Sequence, residues 1–395
     1  MEFLGYERPG GQVGVRNHVT VIPAGRCSND LAGRIAEAVQ GVVPLRHNHA
    51  CVLTKPDNER SLRTLIAMGS NPNIAAVLVV GIGCESLPAK DIGQGIAESG
   101  KEVEVVTIED AGGFQQAVDS GTLVLREFVT RASTLKRKPF GLEHLTIGVK
   151  CGGSATLSGV AGNAAVGWLI DRVMEQGGKA VFTEPTEIIG AEHILAERAV
   201  NREVKRRFLE MIDRNERRIK ATGVDIRGTQ PTPANIENGL STIEEKSLGA
   251  IRKIGSAPLS GVLEYGEIPD SPGLYFMDCS AWTSHLMVGF AAAGAQLSIF
   301  SLGGGLAASF RGIPGSNWVP VVPTLKVLSD PQMKKENEYI DIYAGSIIEG
   351  GESVAQVGQR LLSEIIEIAS GKLARLEINP GYQELLELYT DGPWI

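Results

Sequence analysis

Four of the five cysteines follow short β-rich runs: Cys27 after "VTVIPAGR", Cys51 after "VVPLRHNHA", Cys84 after "VLVVGIG" and Cys151 after "LTIGVK". Ligands of open parallel sheets bind outside the carboxyl ends of the strands, so these positions are where chemistry is expected. Cys27, Cys51 and Cys84 belong to one sheet and face one edge of it. Thiolates gathered there could ligate a soft or borderline metal. Three of them, with one open iron position, would suit a cluster-based hydro-lyase. Cysteine is equally a small hydrophobe of buried strands, and no CxxC pair is present.

Three further stretches hold reactive types. In "RHNHAC", His47, His49 and Cys51 alternate and project to one side of an extended segment. An imidazole there could move a proton near neutral pH, or simply sit in a polar loop. "TEPTEIIGAEH" places Glu184, Glu187, Glu192 and His193 where a strand gives way to a helix. Such a set can bind a divalent cation, and the same acids also suit a helix N-terminus electrostatically. "KCGGS" (Lys150, Cys151, Gly152, Gly153, Ser154) resembles a glycine-rich anion cradle ahead of a helix. "SLGGGLAAS", near residue 303, reads as a second cradle or a tight turn. No GxxxxGK[ST], GxGxxG or GxSxG motif is present.

The elements that must position these residues alternate β and α. "HVTVIPAG", "VVPLR", "AAVLVVGIG" and "VEVVTIE" read as strands; the helices between them cover Asn29–Val39, Asn58–Met68 and Ala89–Glu98, and a long one follows Asp110. The polar segment Ser133–His144, with Pro139, marks a boundary between a first α/β domain, 1–138, and a second, 139–395. The second reads as strand "LTIGVKCGG", helix "NAAVGWLIDRVMEQGG", strand "KAVFTE", a charged helix from Ala191 to Lys220, and strands in "GLYFMDCSAW", "AQLSIFSLGGG" and "VPVVPTLK". The fold class is α/β: two layered domains with mostly parallel sheets, Rossmann-like variants with right-handed crossovers.

Composition narrows the function. The chain has 395 residues, 43% hydrophobic, with net charge -8 and no long basic tract, so nucleic acid is not an expected partner. No apolar run reaches the ~20 residues that span a bilayer, and the N-terminus has no secretion-signal pattern. Dispersed, odd-numbered cysteines fit a reducing compartment, and the expected location is the cytoplasm.

Taken together, "GYERPGGQVGVRNH", "GIGCE", "KCGGSATLSG", "EIIGAEH", "NGLSTIEEKSLG" and "ASGKLARLE" resemble the altronate/galactarate dehydratase family, from Gly5 onward. The resemblance implies a hydro-lyase that removes water from a sugar acid or related 2-hydroxy carboxylate through an enolate, with iron. A (2R)-sulfolactate sulfo-lyase large subunit of the same type implies a C–S lyase as the alternative, and a catalytically altered binding subunit is a third reading. The implied roles are His47 as base and Lys246 in proton transfer or enolate neutralisation. Arg16 and Asn17 would grip a carboxylate, beside His49, Lys150, Gly152, Gly153, Ser154 and Asn235 as substrate contacts. The iron would be Fe2+ on Cys151, Glu187 and His193, or an iron–sulfur cluster on Cys27, Cys51 and Cys84. A separate small SAF-domain subunit and a homodimer or higher oligomer are the implied partners. Three features depart from the family pattern: Ala155 stands where the turn usually carries an acid, "LGGGL" lacks an arginine, and "HNHAC" adds His49.

Overall fold

The computed structural model describes residues 1–304, 319–333, 339–378 and 385–392. Its strands are β1 (Glu2–Glu7), β2 (Val13–Gly14), β3 (His18–Pro23), β4 (Val42–Pro44), β5 (Ile74–Gly81), β6 (Glu102–Thr107), β7 (Lys138–Gly141), β8 (Thr146–Gly152), β9 (Lys179–Phe182), β10 (Leu259–Leu263), β11 (Gly273–Met277), β12 (Leu297–Leu302), β13 (Thr324–Leu328) and β14 (Ile342–Tyr343). They make an antiparallel sheet β2-β1-β7, a four-stranded sheet β4-β3-β5-β6, and a seven-stranded sheet β10-β11-β9-β8-β12-β13-β14. Every pairing in the two larger sheets is parallel.

The continuous apolar runs explain this. β5 and β12 are buried along nearly their whole length, as strands covered by helices on both faces must be. Helix Gly162–Glu175 crosses the large sheet and packs on helix Val354–Ala369, where a Cβ added to Gly358 would lie 2.5 Å from the Trp168 ring. The two units are joined by a shared core: Leu45, Leu65 and Met68 of the first pack with Tyr265, Met277 and Phe290 of the second. Buried Asn71 and Asn73 weld the junction, their side-chain amides donating to the carbonyls of Ala291, Ala295, Gln296 and Val321 at 2.8–2.9 Å.

Three expectations change. The polar boundary segment is partly a strand, since β7 pairs with β1. The helix expected over Ala191–Lys220 is two, Glu192–Glu197 and Arg202–Ala221. Asn201 starts the second by accepting the Val204 N–H at 2.9 Å, and between the two Val200 donates to the Leu259 carbonyl at 3.0 Å. Of the "SLGGGLAAS" turn, Ser301 to Gly304 are described and the rest lies outside the described residues.

Candidate active site

The carboxyl ends of β8 and β9 bring together five charged side chains and one thiol. Cys151 closes β8, and its thiol donates to the Glu187 carboxylate at 3.2 and 3.4 Å. The Lys253 ammonium donates to Glu187 Oε2 at 2.7 Å and to Cys151 Sγ at 3.2 Å, with its side chain 1% exposed. Lys150 Nζ lies 3.6 Å from Glu184 Oε2, donates to the Cys151 carbonyl at 3.0 Å, and sits 4.8 Å from the centre of the Phe300 ring. Lys246 borders the same space and donates to Gln230 at 2.8 Å. A cavity of about 380 Å³, lined by Cys151, Ser154, Ser158 and Lys246 among others, opens beside them.

Glu184 is the unusual member. It is the one non-glycine residue with positive φ (80°) among the described residues. Such backbone costs on the order of 1–3 kcal/mol and persists where the surroundings fix it. Its Oε2 is buried without a hydrogen-bond partner among the described residues. Burial, then the neighbouring Glu187 charge, push this carboxyl up to about 7 against the pull of Lys150. Burial acts the same way on Glu187, but Lys253 and Lys150 outweigh it and hold that carboxylate below its usual range. Burial and then Glu187 push the Cys151 thiol up to about 12, so it is a protonated donor rather than a nucleophile. Burial opposes the Lys253 charge, but the Glu187 and Glu184 carboxyls outweigh it and hold the ammonium above the usual lysine range.

Glycines shape the turn that follows. Gly153 has φ 58°, and Gly303 and Gly304 donate to the carbonyls of Gly152 and Gly153 at 3.0 and 3.1 Å. A Cβ on Gly303 would come within 2.2 Å of the Gly153 oxygen. Asn235 steadies the turn by donating to the Ser154 carbonyl at 3.1 Å.

The first domain's edge is different. His47 is fully buried; its Nε2 lies 2.7 Å from the Pro23 carbonyl and its Nδ1 accepts the His49 N–H at 3.2 Å. Both nitrogens are engaged inside the fold, so the base role expected of His47 has no free lone pair behind it. Burial lowers both His47 and His49 to about 4, and the buried His49 ring has no hydrogen-bond partner among the described residues. Cys27, Cys51 and Cys84 are all exposed, and the turns of the first two touch: Arg26 N–H donates to the His49 carbonyl at 2.7 Å.

Arg16 does grip a carboxylate, but it is the protein's own. It pairs with Glu377 at 2.7 and 2.8 Å and also donates to the carbonyls of Val15, Ile368 and Lys372. Asn17 bridges Arg8 and the Ala132 carbonyl, at 2.9 and 2.8 Å. Neither is left to bind substrate.

The expected iron sites do not assemble as drawn. His193 is exposed, away from the buried Glu187, and the Lys253 ammonium already sits against Cys151 and Glu187 where a cation would lie. Among the described residues, no group of three or more His, Cys, Asp or Glu side chains is arranged to hold a metal ion.

The family model for D-galactarate/altronate dehydratase, C-terminal, matches residues 142–390, and that for the second domain of D-galactarate dehydratase/altronate hydrolase matches 5–133. The chain belongs to the D-galactarate/altronate dehydratase family, a family of lyases. The chain is similar to (2R)-sulfolactate sulfo-lyase subunit beta of Chromohalobacter salexigens, 37% identical over 95% of this chain and 94% of the relative. It is also similar to altronate dehydratase of Bacillus subtilis, 30% identical over 95% of this chain and 76% of the relative. Galactarate dehydratase (L-threo-forming) of Escherichia coli is 29% identical over 84% of this chain and 63% of the relative. Among the described residues of this family member, no helix is long and apolar enough to cross a membrane.

Of the residues singled out from sequence, the structure brings Cys151, Lys150, Lys246 and Glu187 together with Glu184, which the sequence offered only as one of four residues able to bind a divalent cation. Sequence reasoning missed Lys253, in "AIRKIGS", because an isolated lysine at a helix end carries no periodic signal of burial.

Proposed function

We propose that this protein eliminates a leaving group from the carbon next to C2 of a 2-hydroxy carboxylate, with Glu184 as the base. The hydrogen beside a carboxylate is very weakly acidic, and its loss creates an enolate with two negative charges. Lys150, Lys246 and Lys253 supply positive charge on the side where that charge develops, in a water-poor pocket that strengthens the interaction. A general base works best when its pKa lies near the operating pH, which is where burial puts Glu184. Glu187 keeps Lys253 charged, and the lysine's bond to the Cys151 sulfur helps hold it in place. The carrying observation is the Glu184 carboxyl itself: desolvated, left-handed at its backbone, and facing Lys150. No step is assigned to a metal.

The leaving group is hydroxide if the substrate is a sugar acid such as the altronate or galactarate of the relatives' names. Sulfite is the second reading, favoured by the 37% identity to a sulfo-lyase subunit along 94% of that relative. Because that relative is one subunit of an enzyme, a small partner chain belongs to the proposal, and assays are to be run with and without one. Replacing Glu184 by Gln should lower kcat by ~10²–10⁴-fold on altronate, galactarate or (2R)-sulfolactate. Unchanged turnover would remove Glu184 from the mechanism.

A further inference from the structure

β11 runs beside β9 in parallel register, Phe276 opposite Phe182, and Thr183 donates to the Met277 carbonyl at 2.7 Å. Glu184 and the Cys279–Ser280 turn therefore leave the sheet side by side on one edge. Burial, then the Asp278 charge and to a smaller extent that of Glu184, raise the buried Cys279 thiol. From this turn, Ser280 Oγ reaches His285 Nδ1 at 2.8 Å, and His285 Nε2 lies 3.9 Å from Glu387 Oε2. The Trp282 N–H donates to Ser280 Oγ at 3.2 Å, and the Trp282 indole donates to the same Glu387. At 3.9 Å Glu387 makes no hydrogen bond to Nε2, but its negative charge on that side favours the tautomer with hydrogen there, which leaves Nδ1 to accept the Ser280 proton. This is the serine–imidazole–carboxylate order that moves protons to and from oxygen.

Glu387 is delivered from the other domain's side. Leu386 donates to the Arg46 carbonyl at 2.8 Å, Asn48 N–H donates to the Leu386 carbonyl at 3.0 Å, and Leu388 donates to Asn48 Oδ1 at 2.9 Å. The "RHNHAC" loop thus carries, through an isolated bridge of His47 to Leu386, the segment that aims Glu387 at His285. The Tyr389 ring, 5.4 Å away, closes the other side of the imidazole, and Tyr265 donates to the His285 carbonyl at 2.7 Å.

We propose that Ser280 and His285, steadied by Glu387, form a second proton-transfer station, serving the substrate's oxygen while Glu184 serves its carbon. The proposal rests on the elimination reading above. Elimination leaves an enol, whose O–H must break as a C–H bond forms on the carbon that lost the leaving group. The enol proton passes to Ser280 Oγ as the Ser280 proton passes to Nδ1. The C–O bond becomes C=O, and the C=C electron pair takes the proton that Glu184 had removed from the neighbouring carbon. The imidazolium, facing Glu387, then returns its proton through Ser280 to the expelled hydroxide, which leaves as water, or to sulfite, which leaves as hydrogen sulfite. Glu184 and His285 both end as they began. Burial pushes His285 down to about 4, so the ring starts neutral, as the relay needs.

The test follows substrate loss and 2-oxo acid formation together, by NMR and a carbonyl assay, with altronate and with (2R)-sulfolactate. In the wild type the two coincide. In His285→Gln and Ser280→Ala, 2-oxo acid should lag behind substrate loss by ~10²-fold, with an enol vinylic signal between them. A purely structural disturbance would slow both together. Wild-type rates without lag in both variants would overturn the station, and Ser280→Ala decides if His285→Gln does not fold. Glu184→Gln should abolish substrate loss itself; substrate loss at the wild-type rate there would contradict the base assignment, while the lag still judges the station.

Discussion

Two carboxyl edges, one per domain, carry the residue types that chemistry uses, and they are built in opposite ways. The first domain's edge leaves Cys27, Cys51 and Cys84 in solvent and buries two neutral imidazoles. The second buries ionisable groups: Lys253 and Glu187 at 1% and 3% exposure, with Lys150 and Glu184 close behind. Desolvating charge is expensive, and a fold retains it where the charges are used. Reactive residue types at a strand end therefore say less than the burial of their charge. On the proposed function the reaction belongs to the second edge, and the first has a supporting role, holding the segment that bears Glu387.

The contrast is sharpest at Lys253. Lys253→Met leaves the Glu187 charge buried and unpaired, and should destabilise the protein by ~3–5 kcal/mol, read as a lowered denaturant midpoint. A midpoint within error of the wild type would mean that the second edge is not built on this ion pair. His47→Gln tests the first edge. It should lose ~1–3 kcal/mol of stability from the disturbed bond to Pro23, with kcat nearly unchanged in the remaining folded protein. A kcat reduced ~10²-fold or more at full folding would return the base role to His47. The smallest effects belong to the exposed thiols. Cys27→Ser, Cys51→Ser and Cys84→Ser should each stay within about 0.5 kcal/mol in stability. A larger loss on anaerobically prepared protein would show a bound group holding these turns together.

Much of this was legible from residues alone. The four strands of the first domain's parallel sheet, the β8 and β9 strands and the "KCGGS" turn all follow from short apolar runs, those of β3, β5 and β8 ended by glycine, signals that tertiary packing reinforces. β1, β2 and β7 were not legible, because an edge sheet of short, mixed strands lacks a period. The functional residues divide in the same way. Cys151 and Glu187 stand at strand ends, where topology exposes them to reasoning. Lys253 and Glu387 reach their partners across 66 and 102 residues of sequence, Glu187 and His285 respectively, and no local pattern encodes such a distance. Arg16 misled for a related reason: its conspicuous motif serves an ion pair with Glu377, 361 residues away.

The measurement that tests the central claim most directly is the pH dependence of kcat/KM, wild type beside Glu184→Gln. Glu184 must be ionised to take a proton, so activity should rise with pH through about 7, and the residual activity of Glu184→Gln should lack that limb. Stability should run the other way. The folded state holds the Glu184 proton where the unfolded chain has released it, so stability falls as pH climbs from the ordinary carboxylate range towards 7, and Glu184→Gln should flatten that slope. A limb near 7 that survives in Glu184→Gln would contradict the account and place the titrating base elsewhere.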